Sequence, residues 1–130
     1  MHLGAPDYEL IEHARRTLVP NYDAVNFMHT VGAAVRTATG RVFVGVNVYS
    51  LHGACAEQTA LGTAITAGER SFIGVVAVAG EQGQEVLAPC GNCRQILAYY
   101  MPEADVILPG PVGLFKMKAR DLLPCAYEVK

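Results

Sequence analysis

The sequence predicts an α/β fold: a three-layer α/β/α sandwich around a five-stranded mixed sheet. Three observations predict it. Strand-like and helix-like segments interleave along the chain. One strand-like run is apolar almost without break, the pattern of a strand buried on both faces. The last two strand-like runs are joined by a link too short for a parallel crossover, so the sheet must be mixed. The chain has 130 residues, a size typical of one domain spanning 1–130. With 52% hydrophobic and 17% charged residues it has the composition of a compact globule rather than a disordered chain.

Residues 6–19 read as the first helix. Leu10, Ile11, Ala14 and Leu18 recur at helical spacing, Pro6-Asp7 suits a helix start, and Pro20-Asn21 ends it. Two strands follow. Val31, Ala33 and Val35 alternate in the first, and Val42, Val44, Val46 and Val48 alternate in the second. Thr39-Gly40 supplies the tight turn of an antiparallel hairpin. The pleat then puts Phe43, Asn47 and Tyr49 on the face opposite the valines. Residues 55–67 form a helix whose Ala56, Ala60, Gly62 and Ala64 permit close packing, and Gly68 ends it. The run SFIGVVAVA at 71–79 is the doubly buried strand. A helix at 91–101 stops at Pro102. ADVIL at 104–108 and GLFKM at 113–117 form the closing hairpin, and a short helix near 119–123 follows.

Charge and segment patterns exclude several functions. The net charge is −2 and no basic run exceeds Arg15-Arg16, so the basic stripe of a nucleic-acid binder is missing and a small-molecule substrate is expected. No apolar run reaches the roughly 18 residues of a membrane span. The polar start MHLGAPDYELIEH has no apolar core of a secretory signal. The expectation is a cytoplasmic protein with no membrane partner, in which four cysteines serve as ligands or free thiols rather than disulfides.

The chemistry is concentrated in Cys55-Ala56-Glu57 and, 31 residues further on, Pro89-Cys90-Gly91-Asn92-Cys93-Arg94. Each group falls at a predicted helix start, where unpaired backbone N–H groups and the helix dipole favour thiolate over thiol. Three sulfurs brought to one point match a catalytic zinc, which takes three protein ligands and leaves a fourth position open. Glu57, two residues after the first cysteine, can stand beside that open position without binding the metal. It can take a proton from an acidified water and pass it on to a reacting group. Cys90-x-x-Cys93 alone equally suits a redox pair or half of a structural zinc knuckle. Cys55 and Glu57 tip the balance, because a structural site takes four protein ligands and neither Cys125 nor the four histidines have matching spacing.

These segments resemble the cytidine deaminase superfamily, whose signature is Cys or His, any residue, Glu, a spacer, then Pro-Cys-x-x-Cys. Thr30-Val31-Gly32-Ala33-Ala34-Val35 is similar to the family's first strand, and Cys90 to Gln95 to its second zinc segment. The resemblance runs from about residue 25 to 127. It implies one Zn2+ per subunit on Cys55, Cys90 and Cys93, Glu57 as the proton carrier, and a homotetramer with sites completed by neighbours. It also implies substrate contacts at Asn47, Tyr49, Ala56 and Tyr127. Val46-Asn47-Val48-Tyr49, Leu61-Gly62-Thr63-Ala64 and Asp121-Leu122-Leu123-Pro124 with Tyr127 are similar to the blasticidin S deaminase branch.

Two departures stand out. The nucleoside-specific branch ends its second strand Asn-x-Glu, and here Tyr49 replaces the Glu that would grip ribose hydroxyls. The family's Arg after the catalytic Glu is Gln58 here. Three thiolates on one zinc leave a net charge near −1, so Arg94 and the helix N-termini are expected to compensate. The expected reaction is hydrolysis of a cytosine-bearing nucleoside, cytidine, deoxycytidine or a cytosyl antibiotic, to its uracil analogue and ammonia. The alternatives are deamination of another nucleobase or free base, or a non-catalytic zinc module. His52 and Phe27 could contact ligand or simply be a loop residue and a core residue, and Tyr49 and Tyr127 could equally pack. Cys125 reads as a buried or interface thiol.

Overall fold

The computed structural model describes residues 2–129. Helix α1 (Ala5–Leu18) lies on one face of the sheet, and α2 (Ala56–Thr66) and α3 (Gly91–Tyr100) lie on the other. The strands are β1 (Val31–Thr37), β2 (Val42–Val46), β3 (Phe72–Ala79), β4 (Glu85–Leu87), β5 (Asp105–Gly110) and β6 (Gly113–Lys118), closed by a 3-10 turn at Ala119–Leu122. Their order is β2-β1-β3-β5-β6, with β4 paired to β3 alone. The three layers match the expectation. The sheet has six strands rather than five, because the three-residue β4 is too short to carry an alternation.

The two cores follow from the pleat. Val75 and Ala77 of β3 face α2 and α3, while Val76 and Val78 face α1. Ala33 and Val35 of β1 join the first set and Ala34 the second, so the central strands bury both faces. On β2, Phe43 packs on the α2 side and Val42 and Val44 on the α1 side, as the alternation requires. Leu10, Ala14 and Leu18 are the buried stripe of α1. The β1–β2 turn is tight, with Gly40 at φ 89°. The closing hairpin is antiparallel from Asp105↔Lys118 to Gly110↔Gly113.

Two features position the site. Helix α2 lies unusually close to β2: a Cβ on Gly45 would sit 2.7 Å from the Ala60 backbone nitrogen. The one parallel pair is brief. β3 and β5 match only at Gly74↔Asp105 and Val75↔Val106, and beyond this β3 is paired by β4 at Ala77↔Leu87 to Ala79↔Glu85. Among the described residues, no helix is long and apolar enough to cross a membrane.

Candidate active site

Cys55 and Cys90 are the residues immediately before α2 and α3, both in extended conformation (φ −68° and −69°). Cys93 sits one turn into α3, where its buried side chain points back to the helix start. The Sγ atoms of Cys55 and Cys90 are 3.6 Å apart, and all three sulfurs lie within 4.8 Å of one another. Tetrahedral Zn–S bonds of about 2.3 Å place sulfurs about 3.8 Å apart, so this donor set fits zinc with little rearrangement. The Cys93 N–H donates to the Cys90 sulfur at 3.5 Å, and the Gln58 Nε2 donates to the Cys93 sulfur at 3.8 Å.

Burial holds two of the three thiols toward the neutral form. Burial pushes the Cys93 thiol far up, and the Glu57 carboxylate and neighbouring thiols push it further. Burial also raises Cys55, with the Cys90 and Glu57 charges adding to it. Burial acts to raise Cys90 as well, but the Cys93 N–H, the two neighbouring thiols and the Asn92 N–H outweigh it and the net shift is downward. Thus only one of the three thiols shows the depression expected of a helix start. A coordinating dication reverses this balance and deprotonates thiols outright. Burial likewise raises Glu57, against smaller lowering by its own backbone N–H and the Cys93 side chain.

Glu57 is 6% exposed, a buried carboxylate in the first turn of α2. It opens into a cavity of about 190 Å³ that also holds Val31, Asn47, Cys55, Ala56, Leu87, Ala88, Cys90 and Cys93. The structure therefore gathers the three cysteines, Glu57, Ala56 and Asn47 around one space. Tyr49 lies past the end of β2, 74% exposed, in a loop clipped by the Val48↔Ala54 bridge. Tyr127 is likewise exposed and lines a separate surface cavity against α3. His52, Phe27 and Cys125 are also exposed. Arg94 donates to the carbonyls of Pro89 at 2.8 Å and Leu122 at 3.2 Å, so it braces the backbone just before Cys90. Gln58, not Arg94, is the side chain that reaches a sulfur. Sequence reasoning missed Val31, Leu87 and Ala88 as pocket walls, since each reads as ordinary core or loop.

A buried carboxylate sharing a cavity with three cysteine sulfurs spaced to hold a metal ion, at the heads of two helices on a mixed α/β sheet, is the arrangement of a zinc hydrolase of the deaminase type. The family model for the cytidine and deoxycytidylate deaminase zinc-binding region matches residues 8–108. The chain belongs to that family of zinc-dependent hydrolytic deaminases. It is 32% identical to blasticidin-S deaminase of Bacillus cereus over 97% of this chain and 95% of that protein. It is 39% identical to a cytidine deaminase of Sporosarcina psychrophila over 75% of this chain and 74% of that protein. The crystal structure of a cytidine deaminase from Burkholderia pseudomallei superposes with a TM-score of 0.75 and 34% identity, covering 92% of this chain and 98% of that one. That of Mycobacterium tuberculosis gives 0.76 and 27%, covering 94% and 97%.

Proposed function

We propose that this chain replaces the C4 amino group of a cytosine-bearing nucleoside with oxygen, consuming water and releasing ammonia. The observation that carries the reading is the buried Glu57 carboxylate opening onto the same small cavity as the Cys55, Cys90 and Cys93 sulfurs. Zinc held by those sulfurs would supply the Lewis acidity that lowers the pKa of water to about 7. Glu57 takes one proton from the attacking water and delivers it to the ring nitrogen N3. It then takes the second from the hydroxyl that attack leaves on C4 and passes it to the amino group, so the C4–N bond breaks with release of ammonia and C4 keeps the oxygen. Val31, Ala56, Leu87 and Ala88 offer small or apolar walls against which a flat ring can lie. Asn47 stands at the edge of the cavity as the contact for the sugar-like half.

Two relatives act, by name, on different cytosine-bearing molecules, and Tyr49 in place of a carboxylate leaves the sugar grip loose. The substrate class is therefore cytosine nucleosides in the broad sense, the antibiotic blasticidin S included. The exposed Val25, Phe27, Tyr49, Leu51, Tyr99 and Tyr127 support a homotetramer in which neighbours cover these faces. The four free cysteines suit the reducing cytoplasm. The test is ammonia release and loss of cytosine absorbance with cytidine, deoxycytidine, blasticidin S, free cytosine and guanine. Turnover of the cytosine nucleosides is expected. Turnover of guanine or free cytosine alone overturns the reading. Glu57→Gln should keep its zinc and lose roughly 100- to 10,000-fold in kcat, and full activity in that variant refutes the role of Glu57.

A further inference from the structure

The segment that leads into Val31, a wall of the cavity, is an unusual corner of backbone. Residues 23–28 close on themselves: the Asp23 and Met28 backbones exchange hydrogen bonds at 3.0 and 3.1 Å, and the Asp23 carboxylate accepts from the N–H groups of Val25 and Asn26. The chain leaves this knot through His29, held at φ 54°, a left-handed conformation that a non-glycine side chain adopts only when its surroundings impose it. Two residues later it enters β1 at Val31. The strained turn brings the His29 Nδ1 to 2.9 Å from the Asn47 backbone carbonyl. A carbonyl can only accept, so Nδ1 carries the hydrogen in this bond.

Asn47 is tied down from every other side as well. Its N–H donates to the Val31 carbonyl at 3.2 Å, and its Oδ1 accepts from the Val31 N–H at 3.1 Å. The Val31 donor fixes the amide's orientation: it takes one of the two Oδ1 lone pairs, while the Nδ2 amine of this cavity-lining side chain has no partner among the described residues. The Asn47 side chain therefore offers a ligand hydrogen-bond donors, and the matching ligand group is an acceptor oxygen. β2 ends one residue earlier, at Val46, so beyond its N–H bond to Val31 no strand pairing holds Asn47 in place. His29 and Val31 replace it.

We propose that His29 is a positioning residue for this site: by clamping the Asn47 carbonyl from a strained turn, it holds the Asn47 amide aimed as a donor at an acceptor oxygen on the substrate's non-ring half. The proposal rests on the Proposed function for the identity of that ligand, but the clamp itself can be tested without a substrate. Zinc-loaded wild type is compared with His29→Ala, which removes the donor, and His29→Asn. Asparagine tolerates positive φ and carries an N–H donor near the Nδ1 position.

The first readout is amide hydrogen exchange at Val31 and Asn47, by NMR. Exchange in His29→Ala is expected to speed up by roughly tenfold at these two amides while the β5–β6 ladder is unchanged, and His29→Asn should restore it. Unchanged exchange in His29→Ala, or equal acceleration throughout the sheet, overturns the clamp. The second readout is cytidine turnover. His29→Ala and Asn47→Ala should each raise KM by roughly 3- to 10-fold, more than they lower kcat. The double variant should be no worse than Asn47→Ala alone, because one residue acts through the other. Additive losses, or no rescue by His29→Asn, overturn the positioning role. A wild type inert toward cytidine, deoxycytidine and blasticidin S alike sinks the assigned substrate class instead, and the exchange result then decides the clamp by itself.

Discussion

Gly45→Ala tests whether the close seat of α2 on β2 sets the active-site geometry. Gly45 is the buried residue of the edge strand β2, opposite Ala33. An added methyl group would sit 2.7 Å from the Ala60 backbone nitrogen and 2.8 Å from the Thr59 Cβ. The first of these is helix backbone, which cannot step aside alone. To reach the 3.4 Å at which ordinary contact begins, α2 must retreat by about 0.7 Å at this point. Cys55 and Glu57 head that helix, so they move with it. Overpacking of this kind costs about 1–3 kcal/mol, offset by about 0.5–1 kcal/mol of chain entropy that replacing a strand glycine recovers. The net of about 0–2.5 kcal/mol corresponds at this chain length to a melting temperature lower by up to about 10 °C. Since displacements near 1 Å can cost about 100-fold in rate, kcat/KM should fall by roughly 10- to 100-fold. Thermal unfolding by circular dichroism and turnover on cytidine check both. Gly62→Ala on the same helix is the control: its Cβ meets nothing within 4 Å, and it should stabilise by about 0.5–1 kcal/mol. An unchanged melting temperature and rate in Gly45→Ala would refute the reasoning.

Cys90→Ala leaves two sulfurs of three and should abolish stoichiometric zinc, measured by elemental analysis of the purified protein. Gln58→Leu removes the amide that reaches the Cys93 sulfur and should weaken zinc binding by about 10-fold, read by competition with a chromogenic chelator. On the outer face of α1, the Arg15 side chain holds the Glu12 carboxyl down to about 2 from 4.5. The folded value lies below the unfolded one, so the pair's small contribution is present above pH 4.5 and disappears as pH falls through about 2. The gap in melting temperature between wild type and Glu12→Gln should close over that window and shrink with added salt.

The metal centre was legible because its signal is compositional and local: three cysteines at fixed spacings, each near a helix start. The layers were legible for a similar reason, since the period of Val42 to Val46 and the unbroken run through Val75 to Val78 report burial directly. What escaped depends on where segments meet. Glu85-Val86-Leu87 is too short to show a period, yet it pairs with β3 and supplies a pocket wall. Extending the β2 alternation to Val48 overshot, because Asn47 leaves the ladder to bond Val31 with its side chain. The contacts of His29 with Asn47 and of Gln58 with Cys93 join residues 18 and 35 positions apart. Only the folded chain reveals such pairs. Tyr49 and Tyr127 carry a family pattern, but their rings stand outside the cavity of their own chain.

The early parting of β3 from β5 bears on how such an enzyme can change its diet. The space opened there is walled by a three-residue edge segment strung between Gly83 and Pro89, not by a strand of the core. Exchanges of the Leu87 and Ala88 side chains can reshape the mouth of the site while Arg94, bonded to the Pro89 carbonyl, keeps Cys90 at the head of α3. Selection for a new base-bearing compound therefore has a place to act that leaves folding and the reaction itself largely untouched.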